Sequence, residues 1–228
     1  EWIALKQISL GKVTFTNSNN AAIVTEYDVD YLIPAEQKIG VSVSYSTGTG
    51  AKPLTVDIPK ALKLGKKLYG ATYKFLFMNV DTFEKFASQE EVYKKCASFV
   101  QNVVGSQDAP DLATVNAYLA KKKELYRGLQ IIVIDQDITL ELADGSRLTE
   151  NPFEDDVMLF SESKVLGNTY WKKPIDAKAM PGSVAEKVMH GHTLVKKYSN
   201  ESPVQEVTVG VANLFPAWNL AGRSVLVQ

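Results

Sequence analysis

The sequence holds a single cysteine, Cys96, in 228 residues. No intramolecular disulfide can form, so the fold must be held by burial alone, and a reducing compartment is the simpler setting. A chain of this length needs no staple, because it can remove roughly 70–75% of its extended surface from water. Excess charge of either sign is also missing: 25 Lys and Arg stand against 26 Asp and Glu, a formal charge of −1. Tight nucleic-acid binding usually shows a basic domain or stripe, so any contact with DNA is expected to be weak and diffuse. Long hydrophobic runs are lacking too. A membrane span needs ~18–20 apolar residues, and the longest runs here, such as Ile131-Ile132-Val133-Ile134, are strand-sized. Glu1 is not a methionine and no signal-like stretch follows it, the pattern expected of a processed or truncated product. There is no repeat at solenoid spacing and no low-complexity tract. What is present, 45% apolar and 22% charged residues, is an ordinary globular composition that excludes disorder, collagen and coiled coil.

The first fifty residues read as β. Lys12–Thr16 is a short strand ending in Asn17-Ser18-Asn19-Asn20; Glu26–Ile33 alternates acids with large apolar side chains, and Ile39–Ser46 repeats that period of two. A ribbon of two or three strands with one apolar face is marginal in water, so this face is expected to lie on the rest of the chain or on another molecule. Ser46–Pro53 reads as a linker. A helix follows, with Asp57 as cap, Pro59 in the first turn, an apolar side of Ile58, Ala61, Leu62, Leu64 and Leu68, a weak point at Gly65 and a stop at Gly70. Tyr73–Met78 reads as a buried strand and Asn79–Phe86 as a turn into a short helix. Ser88 and Glu91 form a capping-box pattern ahead of Val92, Cys96, Phe99, Val100 and Val103, supported by Glu90/Lys94 and Glu91/Lys95. Asp111 caps a further helix, with Leu112, Val115, Leu119 and Tyr126 inward, and Gly128 stops it. From Leu129 onward strands and turns dominate: Ile131–Ile134, an alternating run through Ile138, Leu140 and Leu142 with a hairpin turn at Asp144-Gly145, then Val157–Phe160, Val165–Trp171, Thr193–Val195, Pro203–Val211, a turn at Pro216 and Ser224–Val227. The fold class is α+β.

Candidate chemistry is thin. Gly48-x-Gly50-x-Lys52 suggests a phosphate loop, but Ala51 interrupts the Gly-Lys pair and Pro53 removes an amide that would face phosphate. His190-Gly191-His192 could chelate a metal, yet no cysteine or third histidine completes a zinc set. Glu154-Asp155-Asp156 lacks the spacing of a calcium loop. Cys96 sits on the apolar stripe of a helix, where cysteine acts as a small hydrophobe. Ser161-Glu162-Ser163 has no nucleophile elbow. Asn200-Glu201-Ser202 is a formal glycosylation sequon without evidence of secretion. Trp2, Trp171 and Trp218 are far apart and read as packing residues. No catalytic residue, metal ligand or cofactor-binding residue is assigned.

Taken in order, these segments resemble the major capsid proteins of tailed bacteriophages, in the lambda-like branch of the Hong Kong 97-type shell fold. The resemblance rests on the β arm at about 12–46, Pro53-Leu54-Thr55-Val56-Asp57-Ile58 opening a helix, Leu76–Phe83, Ile131–Asp135, Asp156–Phe160 ahead of Leu166–Tyr170, and Lys197-Tyr198 before Pro203-Val204-Gln205-Glu206. It implies an extended β arm (E-loop) and linker at 1–52, a peripheral domain with a spine helix at 53–87, an axial domain at 88–195, and return strands of the peripheral domain at 196–228. The arm would overlie a neighbouring subunit through Tyr27, Val29, Tyr31, Ile33, Val41, Val43 and Tyr45, and deleting 12–46 should abolish assembly while leaving a folded core. The function implied is a non-enzymatic coat protein of a phage or prophage, forming an icosahedral shell around double-stranded DNA. Its partners would be itself, as pentamers and hexamers, together with scaffold and portal proteins and non-specific contact with packaged DNA. It would have no cofactor and no membrane contact, and would be assembled in the bacterial host cytoplasm into the virion capsid. Near-zero net charge would limit repulsion between subunits. Two alternatives stay open at this point: an encapsulin-type compartment shell, and a small α+β nucleotide- or metal-dependent hydrolase with its site near Gly48–Thr55 or at His190/His192.

Overall fold

The computed structural model describes residues 2–15, 27–46, 50–100, 109–141, 144–177, 184–201 and 204–228. The chain opens not on β structure but on a helix, α1 (Trp2–Leu10). Its apolar residues do not keep a clean helical period, and it is held by packing of Leu5 and Ile8 into a core rather than by its own pattern. Gly11, at φ +73°, ends it. β1 (Lys12–Phe15) and β2 (Tyr27–Asp30) then pair antiparallel, from Lys12 opposite Asp30 to Phe15 opposite Tyr27. The strand expected over 26–33 stops at Asp30, whose carboxylate accepts the Leu32 N–H (2.8 Å) and holds Leu32 at φ +51°. Of the strand expected over 39–46, only β3 (Lys38–Ile39) forms; the ladder bonds to Gln228 end with Val41 N–H, and Ser42 gives its N–H to the Asp57 carboxylate.

A π-helical turn, Pro53–Asp57, runs straight into α2 (Ile58–Tyr69), which ends at Gly70 in the left-handed conformation (φ +64°). Asp57 is therefore not the expected cap: it has helical φ/ψ and its side chain turns to the 42–45 segment. β4 (Phe75–Asn79) leads into α3 (Val80–Ala87), capped by the Asn79 side chain accepting from Thr82 N–H at 2.8 Å. Ser88 closes α3 instead of opening the next helix: its hydroxyl donates to the Lys85 carbonyl, and α4 spans Glu90–Val100. α5 (Leu112–Lys121) carries the expected Asp111 cap (Thr114 N–H to Oδ1, 2.8 Å), and α6 (Lys123–Tyr126) ends at Arg127 and Gly128, both at positive φ.

β5 (Gln130–Ile134), the hairpin of β6 (Ile138–Glu141) and β7 (Arg147–Glu150), and β8 (Met158–Ser161) follow. With the closing strand β14 (Val225–Val227), five strands form one mixed sheet in the order β3-β14-β8-β4-β5. Its central strands are apolar without interruption because both faces are covered. Leu76, Met78, Met158, Phe160, Val225 and Val227 face the core built with α2 to α6; Phe77, Leu159 and Leu226 face a second core with Ile8, Ile33, Phe153 and Trp218. Each such buried side chain contributes about 1.5–3 kcal/mol, and the sheet supplies them to both cores. Asn116 on α5 closes the outer edge of β5: its side-chain amide accepts Ile131 N–H (2.7 Å) and donates to Ile131 C=O (3.0 Å).

These elements, with Trp218–Gln228, make one compact unit up to Leu166, and Gly167–Ala217 make a second. Taken by itself, the second contains β9 (Gly167–Lys172) paired with β13 (Asn213–Trp218), and the antiparallel sheet β10 (Val184–His190), β11 (Thr193–Glu201) and β12 (Val204–Val211). The register gathers Met189, Leu194, Val207, Val209 and Val211 on one face, and sets the Lys197–Glu206 ion pair (2.9 Å) on the other. Pro216 lies inside β13 rather than at the expected turn; a two-stranded pair leaves an edge where a missing N–H costs no ladder bond.

Candidate interaction surfaces

The arm residues fall into two groups. Ile33 is buried in the second core, and Tyr31 packs edge-on to Trp218 (ring centroids 6.0 Å apart) with its hydroxyl donating to Gln7 Oε1 at 2.6 Å. Val41 and Tyr45 pack against the first core, Tyr45 with Phe86 and with its hydroxyl on Asp57 Oδ2 at 2.8 Å. Val29 and Val43 are half-buried, and the Tyr27 side chain lies outside the described residues. Deleting 12–46 would thus strip Ile33 and Tyr45 from the cores, so the loss could not be confined to assembly.

Two carboxylates tie the turn ahead of α2 to other segments, Asp57 to the loop after β3 and Glu91 to α4. Asp57, 2% exposed, accepts Ser42 N–H (2.9 Å) and the Tyr45 hydroxyl. Glu91 on α4 accepts Leu54 N–H (2.9 Å), Thr55 N–H (3.2 Å) and the Thr55 hydroxyl, and pairs with Lys95 (3.0 Å). A residue expected to cap its own helix therefore satisfies the first turn of another. Burial pushes the Glu91 carboxyl up, but the Thr55 bonds and Lys95 outweigh it and hold it below the usual carboxylate range. A folded-state value below the unfolded one makes stability complete above the ordinary glutamate range and loses it as pH falls through the depressed value. Urea midpoints should accordingly drop on acidification below that range, and Glu91→Gln should flatten the drop; an unchanged acid limb would show the contact adds nothing.

The other candidates separate. Cys96 is fully buried, and burial pushes its thiol up to about 11, so it is protonated and inert at neutral pH. His190 and His192 stand exposed around Gly191 (φ +59°) in the β10–β11 turn. Among the described residues no three His, Cys, Asp or Glu side chains gather as a metal site would require. Gly48 lies outside the described residues, while Ala51 and Pro53 are buried and Gly50 and Lys52 are exposed. Among the described residues no helix is long and apolar enough to cross a membrane.

Two surfaces of the larger unit were missed by motif reading, although their spacing was there to be seen. Outside α2 lies a groove of about 490 Å³, floored by Ile39, Val56 and Leu64 and rimmed by Lys60, Lys63 and Lys67. Positions 60, 63 and 67 share one helical face, as i, i+3 and i+7 must. The second is the β6–β7 hairpin. Its register puts Leu140 opposite Leu148, the latter 40% exposed, and residues 135–150 carry Asp135, Asp137, Glu141, Asp144 and Glu150 against Arg147 alone.

No protein-family model matches the sequence, and no curated protein matches it. Solved structures do. A candidate capsid protein of a prophage of E. coli CFT073 superimposes with a TM-score of 0.64 at 15% identity, covering 99% of this chain and 61% of the other. A phage-related protein from Bordetella bronchiseptica RB50 aligns with a TM-score of 0.48 at 14% identity, covering 86% of this chain and 56% of the other. The chain thus spans about 61% of the length of the first of these structures. At such identity the likeness is one of fold: a mixed α+β arrangement around a main sheet, of phage capsid-like type.

Proposed function

We propose that this chain is the structural coat subunit of a tailed phage or prophage, built to associate with copies of itself into a closed shell around double-stranded DNA. The observation that carries the reading is the fold likeness along 99% of the chain to a candidate prophage capsid protein. The order of segments along the sequence, read independently, supports the same conclusion and supports the finer arrangement of arm, spine helix, peripheral and axial regions of the Hong Kong 97 type, in its lambda-like branch. On this reading the protein is structural rather than catalytic. Its partners are other copies in pentamers and hexamers, scaffold and portal proteins, and packaged DNA held by diffuse charge; its place is the virion, after assembly in the bacterial cytoplasm. Of the arm side chains that are described, Val29 and Val43 are the ones left for a neighbouring subunit.

Electron microscopy of the concentrated full chain tests the proposal. Closed shells of uniform diameter are expected, with nucleic-acid absorbance in shells recovered from phage-producing cells. Particles that enclose protein cargo instead would favour a compartment shell, and a chain that stays monomeric at every concentration would overturn the coat reading.

A further inference from the structure

We infer that the acidic β6–β7 hairpin of one copy seats in the lysine-rimmed groove outside α2 of the next. The groove has an apolar floor and a cationic rim. Lys63 and Lys67 have no ion pair among the described residues, and Lys60 reaches only the Gly40 carbonyl (3.2 Å). An anion alone would not need the floor, and an apolar segment alone would leave three ammonium groups uncompensated, so the fitting occupant presents carboxylates beside aliphatic side chains. The hairpin does this. Leu140 and Leu148 stand opposite one another, with exposed Asp135 and Asp137 at the entry and Asp144 at the turn.

Placement decides that the contact joins two copies. Ile39 of the groove belongs to β3, one edge of the five-stranded sheet, and the hairpin leaves β5, the opposite edge. Four strand spacings, about 19 Å, separate these edges, and among the described residues none of the hairpin lines the groove of its own copy, so the occupant is the hairpin of another copy. A surface at one edge meeting a different surface at the other is a head-to-tail contact, the kind that closes into rings when the rotation per copy divides a full turn. The inference deepens the coat reading and rests on it for the expectation that many copies meet.

The test is zero-length carbodiimide coupling in a mixture of ¹⁴N- and ¹⁵N-labelled full chain, with electron microscopy of the same sample. Mixed-isotope links from Lys60, Lys63 or Lys67 to Asp135, Asp137 or Asp144 are expected. The triple variant Lys60→Glu/Lys63→Glu/Lys67→Glu should lose at least nine-tenths of the assembled material. Addition of Asp135→Lys/Asp137→Lys in the same chain should restore most of it. All five side chains are exposed, so circular dichroism should show every variant folded. Shells that form without these links, or that ignore the charge reversal, overturn the contact and leave the coat reading intact. Links without closed shells keep the contact and overturn the coat reading, and monomers without links overturn both.

Discussion

Replacing Gly65 by alanine will destabilise the larger unit by about 3 kcal/mol, although helix propensity alone favours the change by up to about 1 kcal/mol. The sign is set by Tyr73. A Cβ on Gly65 would sit 2.5 Å from Tyr73 Cζ and 2.6 Å from its hydroxyl oxygen, well inside the ~3.5–4.0 Å of ordinary contact. The ring cannot retreat cheaply: it is fully buried, tilted against Phe160 (centroids 6.1 Å apart), and its hydroxyl donates to the Arg223 carbonyl at 2.8 Å. Either α2 lifts from the sheet or that hydrogen bond breaks. Urea denaturation of Gly65→Ala measures the effect, and Gly65→Ala combined with Tyr73→Leu should recover part of the loss by removing the clashing ring. A variant as stable as the parent would show that α2 is not seated as described.

The second large effect is expected at Asp57. Asp57→Ala should cost about 3 kcal/mol, because the Ser42 N–H and the Tyr45 hydroxyl would lose a charged acceptor inside the structure at once. Burial, reinforced by the Asp57 charge, pushes the Tyr45 hydroxyl far above its ordinary range, so it cannot ionise to compensate. Asp57→Asn keeps an acceptor for Ser42 N–H and offers Tyr45 an amide donor in place of the carboxylate, so its cost should be near 1 kcal/mol. Thermal melts of the two variants give the comparison; equal losses would mean that charge matters more than hydrogen bonding.

That contrast also shows what could be read in advance. The buried strands at Phe75–Asn79, Gln130–Ile134 and Met158–Ser161 were legible because covering both faces of a sheet demands unbroken apolar runs, and the cap at Asp111 was legible because capping is local. Asp57 and Glu91 were misread for the opposite reason: each has the residue type of a local cap but bonds to a segment distant in sequence, and spacing carries no trace of such a partner. α1 escaped because tertiary packing of Leu5 and Ile8 holds a helix whose own pattern is weak. Among the arm residues, alternation at Tyr31, Ile33 and Tyr45 marked side chains that need cover, but no strand face forms there, and it could not say whether the chain's own cores or another molecule would cover them; Trp218 and Phe86 answer that for Tyr31 and Tyr45. The lysine row of α2 and the acids of residues 135–150 were visible as charges, and only the fold set them at opposite edges of one sheet.

Asn116 has a consequence for how copies can add to one another. A bare outer edge on β5 would accept any extended peptide, in any register, through backbone hydrogen bonds that do not discriminate between sequences. By presenting its own amide to both backbone groups of Ile131, Asn116 imitates one residue of an adjoining strand and withdraws that position from the exchange. Crowded copies then lack the easiest start for cross-β stacking at this edge, and association there is left to side chains, which are particular about their partner. Protection of this edge from indiscriminate pairing is in this sense a property of one carboxamide.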